Sequence, residues 1–236
     1  MDPLGTILGV WAHPDDETFL MAGLMAQAIR DGRRVVCVTA TRGEEGSQDE
    51  ERWPKAQLAE IRTLELERAM KTLGVDEHHW LDYPDGACTD VPFEDAVQRL
   101  SAIVAEVDPD DVLTFGPDGM TAHPDHIAVS GWTTESFRRS AKHGARLHHA
   151  TITPEWLEAF LSGWEGIGAM MGEERPPVTP RDGLSIEFHI PPDLLDLKYE
   201  ALRLQESQSA STIALLGEDF LRRDMAVEFY KLAETR

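Results

Sequence analysis

TILGVWAHPDDE, residues 6–17, passes from apolar to acidic within a few positions, and the switch decides how the rest of the chain is read. Thr6 to Ala12 is apolar, with Ile7, Leu8, Val10 and Trp11, and it breaks at His13-Pro14, where proline disfavours continued regular structure. A buried strand running into a loop is expected there. A helix should follow, because apolar residues and alanines are dense from Phe19 to Arg30 and Asp31-Gly32 supplies a stop. Arg33 to Thr41 contains Val35, Val36, Cys37 and Val38, a second buried strand. Strand, helix, strand predicts parallel pairing through a right-handed crossover.

The alternation continues downstream. Thr41 to Arg52 is polar and rich in Gly and Glu, a loop leaving the second strand. Pro54 suits the first turn of a long helix, and Leu58, Arg62, Leu66, Ala69 and Leu73 fall on one face of it. That face carries an arginine among apolar residues. Gly74 terminates the helix, a short strand follows around Trp80-Leu81, and Tyr83-Pro84-Asp85-Gly86 reads as a turn. Val97, Leu100, Val104 and Val107 mark another amphipathic helix ending before Pro109, and Val112 to Phe115 another buried strand. Gly116 to Pro124 is then a loop, with a helix from Asp125 to about Lys142.

After Ala150 the pattern changes. Residues 151–180, with Trp156, Trp164, Met170 and Met171 among Gly and Pro, are expected as a flap or inserted lobe on a single domain spanning 1–236. Its large apolar residues are read as packing rather than as an aglycone pocket. A late strand from Leu184 to Ile190 and helices over Pro192–Gln205 and Glu218–Ala233 complete the prediction. The fold class is α/β: a Rossmann-like, mostly parallel sheet flanked by helices.

Composition narrows the partners. Forty-three acidic against 22 basic residues give a formal charge of −21, which disfavours nucleic acid. No apolar stretch reaches the roughly 18 residues of a membrane span, and the first residues lack a basic region followed by an apolar one, so a cytoplasmic protein without a membrane partner is expected. A homo-oligomer stays open. Cys37 and Cys88 match no metal or disulfide spacing and are read as reduced thiols.

Ligands of open parallel sheets collect where strands end and helices begin. Two polar clusters occupy such ends: His13-Pro14-Asp15-Asp16-Glu17 and His123-Pro124-Asp125-His126. A catalytic zinc takes about three nitrogen or oxygen ligands and keeps a position for water, a need that His13, Asp16 and His126 satisfy. Adjacent residues of a turn diverge, so of Asp15 and Asp16 one would bind the ion while the other addresses its water. A single His-Pro-Asp serves equally well as a turn or cap; two of them at strand ends in an alternating chain favour a site.

The signature from Ala12 to Glu17, with Gly116 and the run His123 to His126, resembles the LmbE/PIG-L family of zinc-dependent N-deacetylases. Gly43-Glu44-Glu45-Gly46, Arg62, Glu65, Leu73-Gly74-Val75 and Asp85-Gly86 resemble further landmarks in the family's order, with a weaker likeness at Lys198, Ala201 and Ser207-Gln208. The resemblance implies one Zn²⁺ per chain on His13, Asp16 and His126, with Fe²⁺ or another divalent transition metal also accommodated. It implies Asp15 as general base, His123 as the group that stabilises the oxyanion or protonates the amine, and Asp125 orienting a histidine. Arg62, Asp85 and Glu44 match positions that contact substrate. Arg62 on an apolar face otherwise reads as a structural ion pair with Glu65 or another acid. Thr121 stands where some relatives carry a tyrosine, and Gln205 where relatives often carry a histidine.

The implied activity is removal of an N-acetyl or other N-acyl group from a small amino-sugar conjugate such as an N-acetylglucosamine derivative. The alternatives are an amidase on a thiol conjugate and a non-catalytic carbohydrate-binding protein. A non-haem iron oxygenase shares the ligand types but conflicts with the alternating pattern. His78-His79 reads as surface, and His143, His148 and His149 as a solvated loop.

Overall fold

In the computed structural model, which describes residues 4–164 and 175–236, the apolar runs become strands of one seven-stranded sheet. The chain runs β1 (Ile7–Trp11), α1 (Asp16–Arg30), β2 (Val35–Thr41), α2 (Lys55–Leu73), β3 (Glu77–Tyr83), α3 (Phe93–Val107), β4 (Asp111–Phe115), α4 (Gly119–Ala122) and α5 (Pro124–Ser140). It continues through β5 (Arg146–Ala150), α6 (Pro154–Trp164), β6 (Ile186–His189), α7 (Pro192–Leu204), α8 (Glu206–Leu216), α9 (Glu218–Asp224) and β7 (Val227–Thr235).

Spatial order is β3-β2-β1-β4-β5-β7-β6, with the first five strands parallel and β7 antiparallel to both β5 and β6. Chain order reverses between β1 and β4, so the helices after these strands diverge and leave a crevice at their carboxyl ends. Both strands are buried throughout, which is why each reads as a continuous apolar run rather than an alternation. The expected α2 face packs as one: Leu58, Arg62, Leu66, Ala69 and Leu73 are all buried, and Gly74 closes the helix with φ 78°, a conformation that favours glycine. Among the described residues, no helix is long and apolar enough to cross a membrane. Cys37 and Cys88 are both free and buried.

Several expectations need correction. α1 starts at Asp16 rather than near Phe19: acidic Asp16 and Glu17 suit the positive end of a helix and fill its first turn, so apolar periodicity begins only a turn later. His148 and His149 are not in a solvated loop. They are buried on β5, where His148 Nε2 lies 3.0 Å from Asp111 Oδ1 and His148 Nδ1 lies 3.0 Å from Ser185 Oγ; His143 alone is exposed. His78 and His79 lie inside β3 and are half-buried, with His78 Nε2 2.9 Å from Thr39 Oγ1.

The helix expected over Glu218–Ala233 stops at Asp224, and its second half is β7. Glu, Lys, Leu and Ala favour helix locally, but pairing with β5 and β6 supplies two ladders of hydrogen bonds that local propensity does not outweigh. The helix α8 was not foreseen. Of the 151–180 stretch, α6 and an extended return, tied by Thr179 N donating to Ile152 O, are described. Met170 and Met171 lie outside the described residues.

One buried ion pair anchors β7 to the first helix. Lys198 Nζ lies 2.7 Å from Glu228 and donates to Phe19 O, while Glu228 accepts from Gly23 N and Leu24 N. The pair thus enters the hydrogen-bond ladder of α1 and satisfies the groups it displaces.

Candidate functional site

The two polar clusters meet in the crevice. β1 ends one residue before Ala12, so His13 leaves the sheet at its carboxyl edge, and α5 begins at Pro124, placing Asp125 and His126 in its first turns opposite. His13 Nδ1 and His126 Nε2 are 3.1 Å apart. Asp16 Oδ1 is 3.4 Å from His126 Nε2, and Asp16 Oδ2 is 3.6 Å from His13 Nδ1. Two nitrogens bound to one tetrahedral ion at about 2.0–2.1 Å would stand roughly 3.3 Å apart, so the spacing suits a shared cation.

The remaining ring nitrogens are occupied. His126 Nδ1 faces Gly119 O at 2.9 Å, a carbonyl acceptor, which leaves Nε2 for the crevice. His13 Nε2 faces Asp85 Oδ1 at 3.1 Å and Asp125 Oδ2 at 3.3 Å. Asp125 is itself held by Gly86 N and Cys88 N, so the histidine it orients is His13. Such partners fix the ring and raise the basicity of a ligating imidazole. His13, His123 and His126, and separately His13, Asp85 and Asp125, form groups whose donor atoms lie within 4.8 Å of one another.

Electrostatics agrees with a cation there. Burial alone would depress the His13 imidazole, but the hydrogen bonds with Asp125 and Asp85 and the charge of Asp16 hold it up to about 10. Burial pulls Asp85 upward, yet His13 holds it at about 2. Burial lowers His126 and His123, keeping them neutral. Asp15, Asp16, Glu17, Asp85 and Asp125 surround Arg62 and His13, and a divalent ion on the imidazoles would replace the His13 proton as their counter-charge.

Asp15 sits at the N-cap of α1 with φ 106°, a conformation that costs a non-glycine residue of order 1–3 kcal/mol. Glu17 and Arg62 hold it there. Asp15 N donates to Glu17 Oε2 at 3.0 Å, and Arg62 Nη2 donates to Asp15 Oδ2 at 3.2 Å and to Pro14 O. Arg62 Nη1 donates to Gly43 O at 2.8 Å. Gly43 has φ 69°, and a Cβ there would stand 2.1 Å from Arg62 Nη1, so the guanidinium needs a glycine beneath it. Burial lifts the Asp15 carboxyl to about 7, against the pull of Arg62.

Arg62 makes the buried ion pair expected of it with an acid other than Glu65. Arg62 meets Asp15, while Glu65 accepts from Ser207 N at 2.8 Å and Ser207 Oγ at 2.6 Å. Glu44 Oε1 accepts from Asp85 N, and its buried Oε2 has no hydrogen-bond partner among the described residues. His123 caps α5 by accepting from Asp125 N through Nδ1, and its ring lies 4.8 Å from that of His13. Thr121 Oγ1 is 3.4 Å from His126 Nδ1, and Tyr83 packs on Trp132 with ring centroids 5.4 Å apart. Sequence reasoning assigned nothing to Glu17, although it closes the motif, and left Gln205 without a role. Gln205 Nε2 donates to Glu17 Oε1 at 2.7 Å and to Thr18 Oγ1 at 2.8 Å, a contact across 188 residues that no local pattern announces.

Comparison with known proteins gives the family. Residues 8–137, more than half of the chain, match the PIG-L family model, described as GlcNAc-PI de-N-acetylase. A 1D-myo-inositol 2-acetamido-2-deoxy-alpha-D-glucopyranoside deacetylase of Mycobacterium sp. (strain KMS) is 36% identical over 155 residues, covering 57% of this chain and 50% of that protein. The protein of the same name from Saccharomonospora viridis is 30% identical over 229 residues, covering 86% of this chain and 84% of the relative. The chain spans about half the length of the first curated relatives it matches. Among solved structures, N,N'-diacetylchitobiose deacetylase from Pyrococcus horikoshii superposes with a TM-score of 0.68 at 23% identity, over 98% of this chain and 84% of that one, a likeness of fold. With its site-building half matched by the family model and the S. viridis relative aligned over most of both chains, this chain belongs to the PIG-L family.

Proposed function

We propose that the chain is a zinc-dependent hydrolase that removes an N-acetyl or other N-acyl group from a small amino-sugar conjugate in the cytoplasm, releasing the carboxylate and a free amine. The observation that carries the reading is the 3.1 Å approach of His13 Nδ1 to His126 Nε2 beside a carboxylate, Asp15, that is fixed in a strained conformation. His13, Asp16 and His126 would hold the ion, and when bound it supplies polarisation of the amide carbonyl and acidification of water to a pKa of about 7. Fe²⁺ or another divalent transition metal suits the same donors.

The protein's own groups do the proton work. Asp15, as carboxylate, takes a proton from the attacking water; Arg62 and Glu17 hold its carboxyl and backbone so that no reorientation is needed. His123, lowered by burial, accepts from Asp125 N through Nδ1, which puts the proton of the neutral ring on Nε2; it steadies the developing oxyanion by a hydrogen bond or passes a proton to the departing nitrogen. Asp125 keeps the His13 ring oriented. Asp85 and Glu44 border the same space, and the unpartnered Glu44 Oε2 suits a sugar hydroxyl donor.

The test is metal content and amine release measured together over N-acetylglucosamine linked to inositol, to malate and to a further sugar. Metal-loaded protein should free amine from at least one conjugate, and Asp15→Asn should cut kcat by about 10²–10⁴ with metal content unchanged. No amine from any conjugate, with bound metal demonstrated, would refute the reading.

A further inference from the structure

Beside the donor cluster opens a cavity of about 250 Å³ whose walls include Phe19, Met120, Ile152, Trp156, Phe160 and Phe229. It is larger than an apolar cavity of about 150 Å³ that admits benzene. Four separate parts of the chain build it: the start of α1, the α4 turn, the β5–α6 segment, and the end of α9 with β7. Trp156 stacks on Phe160 with centroids 4.7 Å apart, and its Nε1 donates to Asp224 O, which ties one wall to the opposite one.

The lining rejects charge. Among the described residues its ionisable members are Asp224 and Glu228, both acidic, and neither attracts an anion. Glu228 is already committed to Lys198, Gly23 N and Leu24 N. Burial lifts the Asp224 carboxyl to about 7, against the pull of Lys198 and Arg223, so it offers a cation only a partial charge near neutrality.

The cavity adjoins the site. Thr121 lines it and stands 3.4 Å from His126 Nδ1, on the side of the ring turned away from the crevice, and Phe19 lies one turn beyond Asp16 on α1. Phe19 is 37% exposed, a large apolar side chain left at the rim within a turn of a metal-facing carboxylate. A ligand seated at Asp16 therefore has an exposed apolar side chain of the cavity wall one helical turn away.

We propose that this cavity is a specificity pocket for an uncharged alkyl or aryl group carried by the amide substrate, so that the preferred substrate is amphipathic rather than a bare sugar. The proposal rests on the hydrolase reading for the polar half of the ligand. The apolar group can belong to the acyl chain or to the aglycone.

Two glucosamine series separate those sources, each kept below its micelle concentration. One lengthens the N-acyl chain from acetyl to octanoyl on a methyl glycoside; the other keeps N-acetyl and lengthens the aglycone from methyl to octyl. Kd is measured by calorimetry on the metal-loaded full chain, and kcat/KM by amine release. Affinity should climb about four-fold per methylene in at least one series until the pocket fills, the equivalent of ~0.8 kcal/mol each, with a negative heat-capacity change. The series that climbs identifies the source. Ile152→Trp, which fills the cavity, should flatten the climb. Flat Kd in both series with wild-type protein would overturn the proposal, whether or not the variant folds. A Kd that falls along a series with no amine released from any member would instead refute the hydrolase reading and leave the pocket standing.

Discussion

Replacing Arg62 by methionine separates a residue that tunes Asp15 from one that only packs. The guanidinium is 3% exposed and meets Asp15 Oδ2 at 3.2 Å, Gly43 O at 2.8 Å, and Pro14 O. Burial lifts Asp15 to about 7, and the Arg62 charge keeps it from going higher. A neighbouring opposite charge at this range moves a carboxyl by roughly one to three pH units, so its loss should raise Asp15 by that much. Asp15 accepts a proton only as the carboxylate, so kcat/KM is low below its pKa and rises above it. Arg62→Met should therefore shift the acidic limb upward, cost about 10- to 10³-fold on that limb, and recover at alkaline pH.

Arg62→Lys keeps the charge but cannot reach three acceptors, so the limb should stay while stability falls by about 1–3 kcal/mol through unpaired carbonyls. The assay is kcat/KM from pH 5 to 10 with both variants and wild type at equal metal load, so that the charge of the ion cancels from the comparison. Melting temperatures are recorded alongside. An Arg62→Met profile that is uniformly lowered, with its limb where wild type has it, would refute the electrostatic coupling.

Asp125→Asn should weaken metal affinity by about 10–100-fold, since it removes the carboxylate that orients His13; competition with a chromophoric chelator measures this, and unchanged affinity counts against that role. His149 is buried, and burial holds its imidazole at about 4 against an unfolded value near 6.5. Its contribution to stability is complete above the unfolded value and is lost as pH falls from about 6.5 towards 4, by on the order of 3 kcal/mol; His149→Leu should flatten that part of the urea-unfolding profile. Lys198→Met should destabilise by about 3–5 kcal/mol, because Glu228 is left charged in the core; a loss under 1 kcal/mol in chemical denaturation would show that the pair is not needed to hold α1 on β7.

Most of the parallel half of the fold was legible from residues 6–115, because strands buried on both faces and helices buried on one leave different periods in the chain. Ile7 to Trp11 and Val112 to Phe115 are continuous apolar runs, and Leu58 to Leu73 a stripe. The strands β5 and β7 were not. β5 carries Arg146, His148 and His149, polar residues that survive burial because Asp111 and Ser185 meet the first two and Thr134 Oγ1 lies 3.5 Å from His149 Nε2. β7 carries Glu228, acceptable inside only because Lys198 stands opposite.

The same division runs through the site. His13, Asp15, Asp16, His123, Asp125 and His126 were named from local motifs, since strand ends announce themselves by an apolar run breaking at a proline. Which ring nitrogen faces the crevice, that Arg62 grips Asp15 rather than Glu65, that Gln205 reaches Glu17, and that an apolar cavity adjoins His126 were decided by tertiary structure alone. Arg62 and Asp15 are 47 residues apart, His13 and Asp125 are 112, and Gln205 and Glu17 are 188, and no pattern along the chain encodes a distance across it. Local order records what each segment must bury; only the packed sheet determines what each buried group meets.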